Sequence, residues 1–385
     1  MDKGYEVRNL GQPKGVGLFA TKTFEENDVI FEEKPIVSCQ FAWNETYEYS
    51  ACHHCLRPLE STEENLRRLT GNRALVLPLP DLCPTNKRTH VICDDCQVKF
   101  CCEECKNDSI RLYHRMLCEK FNPGVCQLKN AWMGMHYPPE TATAMLIARL
   151  IAMVEQSDDK ERMLASFLEF DHKLTEPEGL VVAKLLGQEG ARNLGVLSEV
   201  IPSVFPAATH TKGLLTMDGL KTLFTLVGKN GQGIGTSVFA EWVKKVDEGD
   251  PETQASVEGF IASAYQAMEE RVGSFLNCEG SGLYALQRCV NHDCDPSADV
   301  TFPHSDYTLA LVARRKIAPG EEITTSYLDD CIMDRSRHTR NKALKEFYLF
   351  ECKCNKCLEQ ADEPDVTSDD DDMISDLEEE EDSFS

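Results

Sequence analysis

Asn291-His292-Asp293-Cys294-Asp295-Pro296 sets a carboxamide, an imidazole and a thiol close together, and a phenol, Tyr327, follows the turn Pro319-Gly320-Glu321-Glu322. Downstream, Tyr348-Leu349-Phe350-Glu351-Cys352-Lys353-Cys354-Asn355-Lys356-Cys357 adds three thiols in a Cys-x-Cys-x2-Cys spacing. With Cys294 as a fourth ligand, these thiolates form the donor set that tetrahedral zinc prefers. One metal would then clamp the chain end beside Asn291, His292 and Tyr327. A second group lies nearer the N-terminus: Cys52-x2-Cys55, Cys93-x2-Cys96, Cys101-x3-Cys105 and His114-x3-Cys118. Seven thiols and one imidazole suffice for two closed structural sites. Cys101 and Cys102 are adjacent, and either could be the ligand. Cys83, His53, His54 and His90 are spare donors, expected to be bystanders.

These side chains need elements to hold them. Residues 4–38 read as strands and hairpins, with Gly15-Val16-Gly17-Leu18-Phe19-Ala20 placing a glycine turn before a short apolar strand. Glycines suit a backbone that must come close to a ligand. Ala20…Phe24…Val29-Ile30 is echoed by Ala313…Ile317…Glu322-Ile323, which suggests two similar hairpins. Between Cys55 and Cys93, residues 56–92 form an insertion with a helical stretch, Thr62–Leu69, and a Pro-rich one, Leu77–Pro84. Apolar residues recur at helical spacing over Glu140–Gln156, Lys160–Phe170 and Gln254–Met268, and Leu180–Leu197 and Leu214–Val227 are expected to be helical too. Lys229-Asn230-Gly231-Gln232-Gly233-Ile234-Gly235-Thr236 lacks the order of a phosphate-binding loop and reads as a glycine-rich turn. Residues 299–302 and 308–313 alternate as strands, and the turn at 318–322 leads into a strand carrying Tyr327.

Composition narrows the classes of function. With 385 residues, 42% of them hydrophobic, the chain can bury a sizeable core over two or three domains. No apolar run reaches the length of a membrane helix; the best, Ala144–Val154, is broken by Arg149. The N-terminus has no apolar signal segment, so the 18 cysteines read as metal ligands and free thiols in a reducing compartment, cytoplasm or nucleus. The net charge of −25 argues against sequence-independent nucleic-acid binding and favours a basic partner. Thirteen acidic residues without a Lys or Arg fall between Asp362 and Asp382, a low-complexity tail expected to be disordered.

Taken in order, the glycine turn, the Asn-His-x-Cys segment, Tyr327 and the Cys-x-Cys-x2-Cys string resemble a SET domain with its post-SET zinc site. The paired cysteines before it resemble a MYND finger. The chain from Gly4 to Cys357 is thus similar to the SET-and-MYND (SMYD) protein-lysine methyltransferases, in their short, acidic-tailed branch. The resemblance implies an α+β fold: a split β-rich SET domain interrupted by a zinc-binding finger and a helical insertion, closed by a post-SET zinc site. Its expected divisions are 1–50 for the N-terminal SET part, 51–118 for the finger, 119–275 for the helical insertion, 276–350 for the C-terminal SET core, 351–358 for the post-SET segment and 359–385 for the tail. It also implies S-adenosyl-L-methionine as cofactor and three zinc ions.

By the same resemblance, one zinc takes Cys52, Cys55, Cys101 and Cys105; a second takes Cys93, Cys96, His114 and Cys118; the third takes Cys294, Cys352, Cys354 and Cys357. Lys14, Gly15, Val16, Gly17, Asn291, His292 and Phe350 would hold the cofactor, and Tyr327 would contact it while orienting the amine as the catalytic residue. Ser297 replaces the usual Asn, and Thr236-Ser237-Val238-Phe239 is the nearest match to an expected Asn-Ser-Phe strand. The substrates implied are lysines of basic proteins such as histones or ribosomal proteins, with peptide partners at the finger and no membrane or direct nucleic-acid role. A zinc-finger adaptor with a relict SET fold, or an acidic histone escort, are the competing readings.

Overall fold

The computed structural model describes residues 3–11, 14–135, 143–173, 182, 186, 189–273 and 276–363. Its strands are β1 (Tyr5–Gly11), β2 (Gly15–Ala20), β3 (Val29–Glu33), β4 (Val37–Gln40), β5 (Val91–Ile92), β6 (Lys99–Phe100), β7 (Gln232–Thr236), β8 (Cys278–Leu283), β9 (Asn291–His292), β10 (Ala298–Thr301), β11 (Leu309–Ala313) and β12 (Glu322–Thr325). Among the described residues the chain folds into two compact units. One comprises residues 1–32, 286–301 and 310–385; the other comprises residues 33–285 and 302–309.

In the first unit, β1 and β2 form the hairpin expected of the glycine segment, and Gly11 and Gly15 both take positive φ at its turn. The sheet continues in the order β1-β2-β12-β9, β12 running antiparallel to β2 and parallel to β9. Through that last pairing Thr324 lies opposite Asn291 and Thr325 opposite His292, so two segments thirty residues apart meet edge to edge. A second sheet has the order β10-β11-β3. The echoed segments pair with each other: Phe24 and Ile317 exchange both backbone hydrogen bonds, at 3.1 and 2.9 Å. Asn27 N–H then bonds Ala313 O, as Gly320 N–H bonds Ala20 O, both at 2.8 Å. The expectation of two similar hairpins is thereby corrected: β2 pairs with β12 and β3 with β11, so each echoed segment crosses from one sheet to the other instead of folding back on itself.

The helix Arg337–Tyr348, N-capped by Ser336, and the short helix Asn355–Glu359 complete this unit. Their shared core joins Leu328, Met333, Ala343 and Leu344 to four cysteines. Tyr327 departs from the strand expected for it. β12 ends at Thr325, and the chain turns where Ser326 Oγ accepts from Leu328 N–H at 3.0 Å.

The second unit is mostly helical around the sheet β4-β8-β7. Here the glycine-rich segment 229–236 is corrected from turn to strand. Gln232–Thr236 pairs antiparallel along β8, and its glycines stand in open space, a Cβ at Gly233 meeting nothing within 4 Å and one at Gly235 nothing nearer than 3.9 Å. At the facing Gly280 a Cβ would collide with Cys39 O and Leu56 Cδ2. Thr236 donates to Leu56 O at 3.0 Å, and Ser237 caps the helix Val238–Asp247 rather than extending the strand.

The helix Thr143–Gln156 is buried on nearly every side, Leu146, Ile147, Leu150 and Ile151 being fully covered. Its one guanidinium, Arg149, is satisfied by Ser38 O at 2.6 Å, His53 O at 2.9 Å and the Tyr113 ring. The helices Lys160–Leu168, Gly190–Val204, Met217–Asn230 and Pro251–Val272 fall within or beside the expected stretches. In the 56–92 insertion, helix Thr62–Thr70 opens with a Ser61/Glu64 capping box and closes at Gly71 in the left-handed region. The tail beyond Glu363, the start of the Glu140–Gln156 stretch and most of Leu180–Glu189 lie outside the described residues.

Candidate active site and metal centres

The cysteines and the histidine that sequence spacing singled out gather into three tetrads. They are Cys52, Cys55, Cys101 and Cys105; Cys93, Cys96, His114 and Cys118; and Cys294, Cys352, Cys354 and Cys357, the donor atoms of each lying within 4.8 Å of one another. Four ligands about 2.3 Å from a tetrahedral zinc stand roughly 3.8 Å apart. Cys55 and Cys101 sulfurs are 3.6 Å apart, Cys294 and Cys357 are 3.6 Å, Cys294 and Cys352 are 3.9 Å, and Cys96 Sγ lies 3.4 Å from His114 Nε2. Both the donor chemistry and these spacings fit zinc.

Of the adjacent thiols, Cys101 belongs to its tetrad and Cys102 sits 3.8 Å to the side. His114 reaches its partners from a π-helical turn, Ile110–His114, and burial holds its ring near pKa 4, neutral as a ligand must be. His53 and His54 belong to no tetrad: His53 faces Arg149, and His54 Nδ1 lies 3.2 Å from the Tyr113 hydroxyl. Cys83 and His90 also stand outside the tetrads.

In the first unit, the expected cofactor residues converge with the third tetrad. The parallel β9–β12 pairing puts Asn291 beside β2, and its amide donates to Val16 O at 2.9 Å and to Glu322 Oε1 at 2.8 Å. Glu322 Oε2 in turn meets Lys14 Nζ at 3.3 Å. Gly17 makes room for that carboxylate, since a Cβ there would stand 2.9 Å from Glu322 Oε1 and 2.8 Å from Leu10 Cδ1. Sequence reasoning gave Glu322 no place among the cofactor residues; only the strand pairing reveals that it ties Lys14 to Asn291.

His292 stands between the tyrosine and the thiolates. Burial lowers it to about 4, so the ring is neutral. Its Nδ1 accepts the Tyr327 N–H at 3.0 Å, which leaves the hydrogen on Nε2, 3.3 Å from Cys294 Sγ. Ring centroids of His292 and Tyr327 are 5.5 Å apart, His292 and Phe350 6.1 Å, and Tyr327 and Phe350 6.3 Å.

The Tyr327 hydroxyl donates to Val290 O at 2.9 Å, and Tyr348 donates to Tyr327 O at 2.9 Å. Burial raises the Tyr327 phenol well above its ordinary value, so it stays protonated. With its hydrogen committed to a carbonyl, the oxygen offers lone pairs to an incoming N–H. Ser297 departs from the expected Asn without leaving a gap: it is buried, and its Oγ accepts the Thr324 N–H at 3.0 Å, bracing β12. Arg340 and Asn341, missed in the sequence, come to the tetrad only through the packing of their helix, and no spacing signal marks them; Tyr348 heads the cysteine string, but its bond to Tyr327 follows only from the fold.

A model of the SET domain matches residues 15–328. The chain is 46% identical over 377 residues to the protein-lysine N-trimethyltransferase SMYD5 of Homo sapiens, a match covering 94% of this chain and 88% of that protein. To the protein of the same name from Danio rerio it is 44% identical over 375 residues, covering 95% and 89%. A shorter match, 37% over 102 residues covering 26% of this chain and 22% of the relative, is to the histone-lysine N-methyltransferase SMYD3 of Mus musculus.

Proposed function

The chain belongs to the SET and MYND family of protein-lysine N-methyltransferases, and from that premise we propose that Lys14–Gly17, Asn291, His292, Tyr327 and Phe350 hold S-adenosylmethionine and that the substrates are lysines of basic proteins. The cofactor supplies an electrophilic methyl group on a sulfonium. Asn291, fixed by Val16 O and Glu322, would orient its amino-acid end, and the Phe350 and His292 rings would form an apolar wall for its adenine. Tyr327 accepts an N–H from the entering amine and aims the nitrogen, a task of positioning rather than proton removal. A free lysine has a pKa of about 10.4, so desolvation on entry must favour its neutral form.

We further propose zinc at all three tetrads: two in a MYND finger within residues 51–118, and one in a post-SET site at 351–358, the SET core being 1–50 and 276–350 and the helical insertion 119–275. The observation that carries this reading is His292, held between the Tyr327 N–H and Cys294 Sγ at 3.0 and 3.3 Å. It makes the metal clamp and the tyrosine one assembly. The acidic balance of the chain, −25, supports histones or ribosomal proteins as substrates through long-range attraction, and peptide partners at the finger. Cytoplasm or nucleus, both reducing, is where we place the activity. The name of the full-length relatives leads us to expect up to three methyl groups per lysine.

The test is transfer of radiolabelled methyl from S-adenosylmethionine to core histones and ribosomal proteins, wild type beside Tyr327→Phe. Label on a basic protein that Tyr327→Phe reduces at least tenfold supports the reading. Equal label from both proteins removes Tyr327 from it, and label only on acidic or neutral proteins removes the substrate class.

A further inference from the structure

Arg340 is 1% exposed, at the end of the first turn of the Arg337–Tyr348 helix. A guanidinium does not lose its proton in a protein, so burying one demands either an anion or a full set of acceptors. Among the described residues no carboxylate pairs with it. It donates through Nη1 to Arg335 O at 2.6 Å and through Nη2 to Gln360 Oε1 at 2.7 Å, while Nε has no partner. The remaining contact of Nη2 is Cys357 Sγ, at 3.7 Å. A charge this deep, with Nε unpaired and only two neutral oxygens and a sulfur before it, is better stabilised when the sulfur belongs to an anionic group.

The surroundings of the tetrad repeat the pattern. Asn341 donates to Cys357 Sγ at 3.7 Å and accepts the Cys352 N–H at 2.7 Å. His292 Nε2 faces Cys294 Sγ at 3.3 Å, and Cys354 N–H points at Cys352 Sγ at 3.4 Å. Donors therefore converge on three of the four sulfurs, an arrangement made for thiolates. Four thiolates around a divalent zinc carry a net charge of −2, and one guanidinium removes half of it. In the tetrad of Cys52, Cys55, Cys101 and Cys105, by contrast, no Lys or Arg donates to a sulfur among the described hydrogen bonds; nearby Arg57 is committed to Asp306 at 2.6 Å.

We propose that Arg340 is the counter-ion of the Cys294–Cys352–Cys354–Cys357 zinc site, and that metal retention there, and at neither finger site, depends on its charge. The inference rests on reading this tetrad as a zinc site. Arg340 acts through the thiolates and is a positioning residue. Partners around a metal's direct ligands are typically worth 10- to 100-fold in affinity when removed. The expected effect is of that size.

The experiment uses the full-length, zinc-replete protein. Zinc per chain is first counted by atomic emission; fewer than three ions in the wild type would sink the zinc reading itself, apart from the role of Arg340. Release is then followed with the chelating dye 4-(2-pyridylazo)resorcinol for wild type, Arg340→Met and Gln360→Glu, with Cys354→Ser identifying the phase that belongs to this site. Arg340→Met keeps the bulk and drops the charge. Gln360→Glu leaves the core intact and gives the guanidinium a competing carboxylate. The account expects that one phase to quicken about 10-fold or more in Arg340→Met and several-fold in Gln360→Glu, with the other two phases unchanged. Wild-type release in Gln360→Glu, or equal acceleration of all three phases in Arg340→Met, overturns the proposal. Should Arg340→Met fail to fold, Gln360→Glu decides alone.

Discussion

Replacing Glu322 by Ala should cost cofactor affinity while sparing the fold. Its carboxylate ties β12 to β9 and to the turn before β2, accepting the Asn291 amide at 2.8 Å and facing Lys14 at 3.3 Å. The Lys14 side chain is 63% exposed, so that ion pair contributes little. The Asn291 bond is different: the Glu322 side chain is 20% exposed, and a hydrogen bond to a charged group is worth about 1.5–3 kcal/mol. After the substitution Asn291 keeps its 2.9 Å bond to Val16 O but loses the second restraint that fixes its amide plane. If that lost bond appears in binding, the Kd for S-adenosylmethionine rises about 10- to 100-fold. Glu322→Gln, which retains an uncharged acceptor, should lose only a few-fold. Titration calorimetry with S-adenosylmethionine, beside thermal melting, is the assay. Glu322→Ala binding as tightly as wild type with an unchanged melting temperature would refute the reasoning. So would equal losses for Ala and Gln, since the argument rests on an acceptor being kept.

Other perturbations test neighbouring links. Tyr348→Phe removes the 2.9 Å bond to Tyr327 O, worth about 0.5–1.5 kcal/mol, and should lower kcat/KM by up to about tenfold with zinc content unchanged; steady-state kinetics with parallel metal analysis checks it. Gly17→Ala should raise the cofactor Kd as Glu322→Ala does, because its Cβ would displace Glu322 Oε1 from 2.9 Å; combining the two should add little. Burial pushes the Glu155 carboxyl up, but hydrogen bonds from Thr211 and Thr209 outweigh it and hold it below its ordinary 4.5. Its contribution to stability is therefore present above pH 4.5 and lost as pH falls through the lowered value. Glu155→Gln should accordingly be less stable than wild type at pH 7, with the gap closing below pH 4.5 in denaturant melts.

How much of this was legible in the sequence depends on whether the signal was local. Metal tetrads read well because their ligands come in local groups, Cys52/Cys55, Cys93/Cys96, Cys101/Cys105, His114/Cys118 and Cys352/Cys354/Cys357, each spanning about one turn of chain. Only Cys294 had to be matched at a distance, and the interleaving of the four finger pairs into two sites came from the family resemblance. The β1–β2 hairpin and the long amphipathic helices were legible for the same reason, through glycine placement and periodicity.

What could not be read belongs to tertiary packing. β7 looked like a turn because its glycines are a local turn signal, and only the pairing with β8 makes the segment a strand. Tyr327 followed an apolar strand without a break in pattern, yet the chain turns at Ser326 because its hydroxyl accepts from Leu328 N–H. Glu322 and Arg340 are charged residues among other charged residues. Their roles exist only where the β9–β12 pairing and the Arg337–Tyr348 helix bring them to Asn291 and Cys357.

The central claim is that one thiolate tetrad holds the wall of the cofactor site through His292. Cofactor binding to zinc-replete wild type and to Cys354→Ser tests it most directly, each measured by calorimetry with zinc counted per chain. The account predicts that Cys354→Ser keeps two zinc ions, loses the third, and binds S-adenosylmethionine at least tenfold more weakly. A variant that loses only that third ion and still binds with wild-type affinity would contradict it.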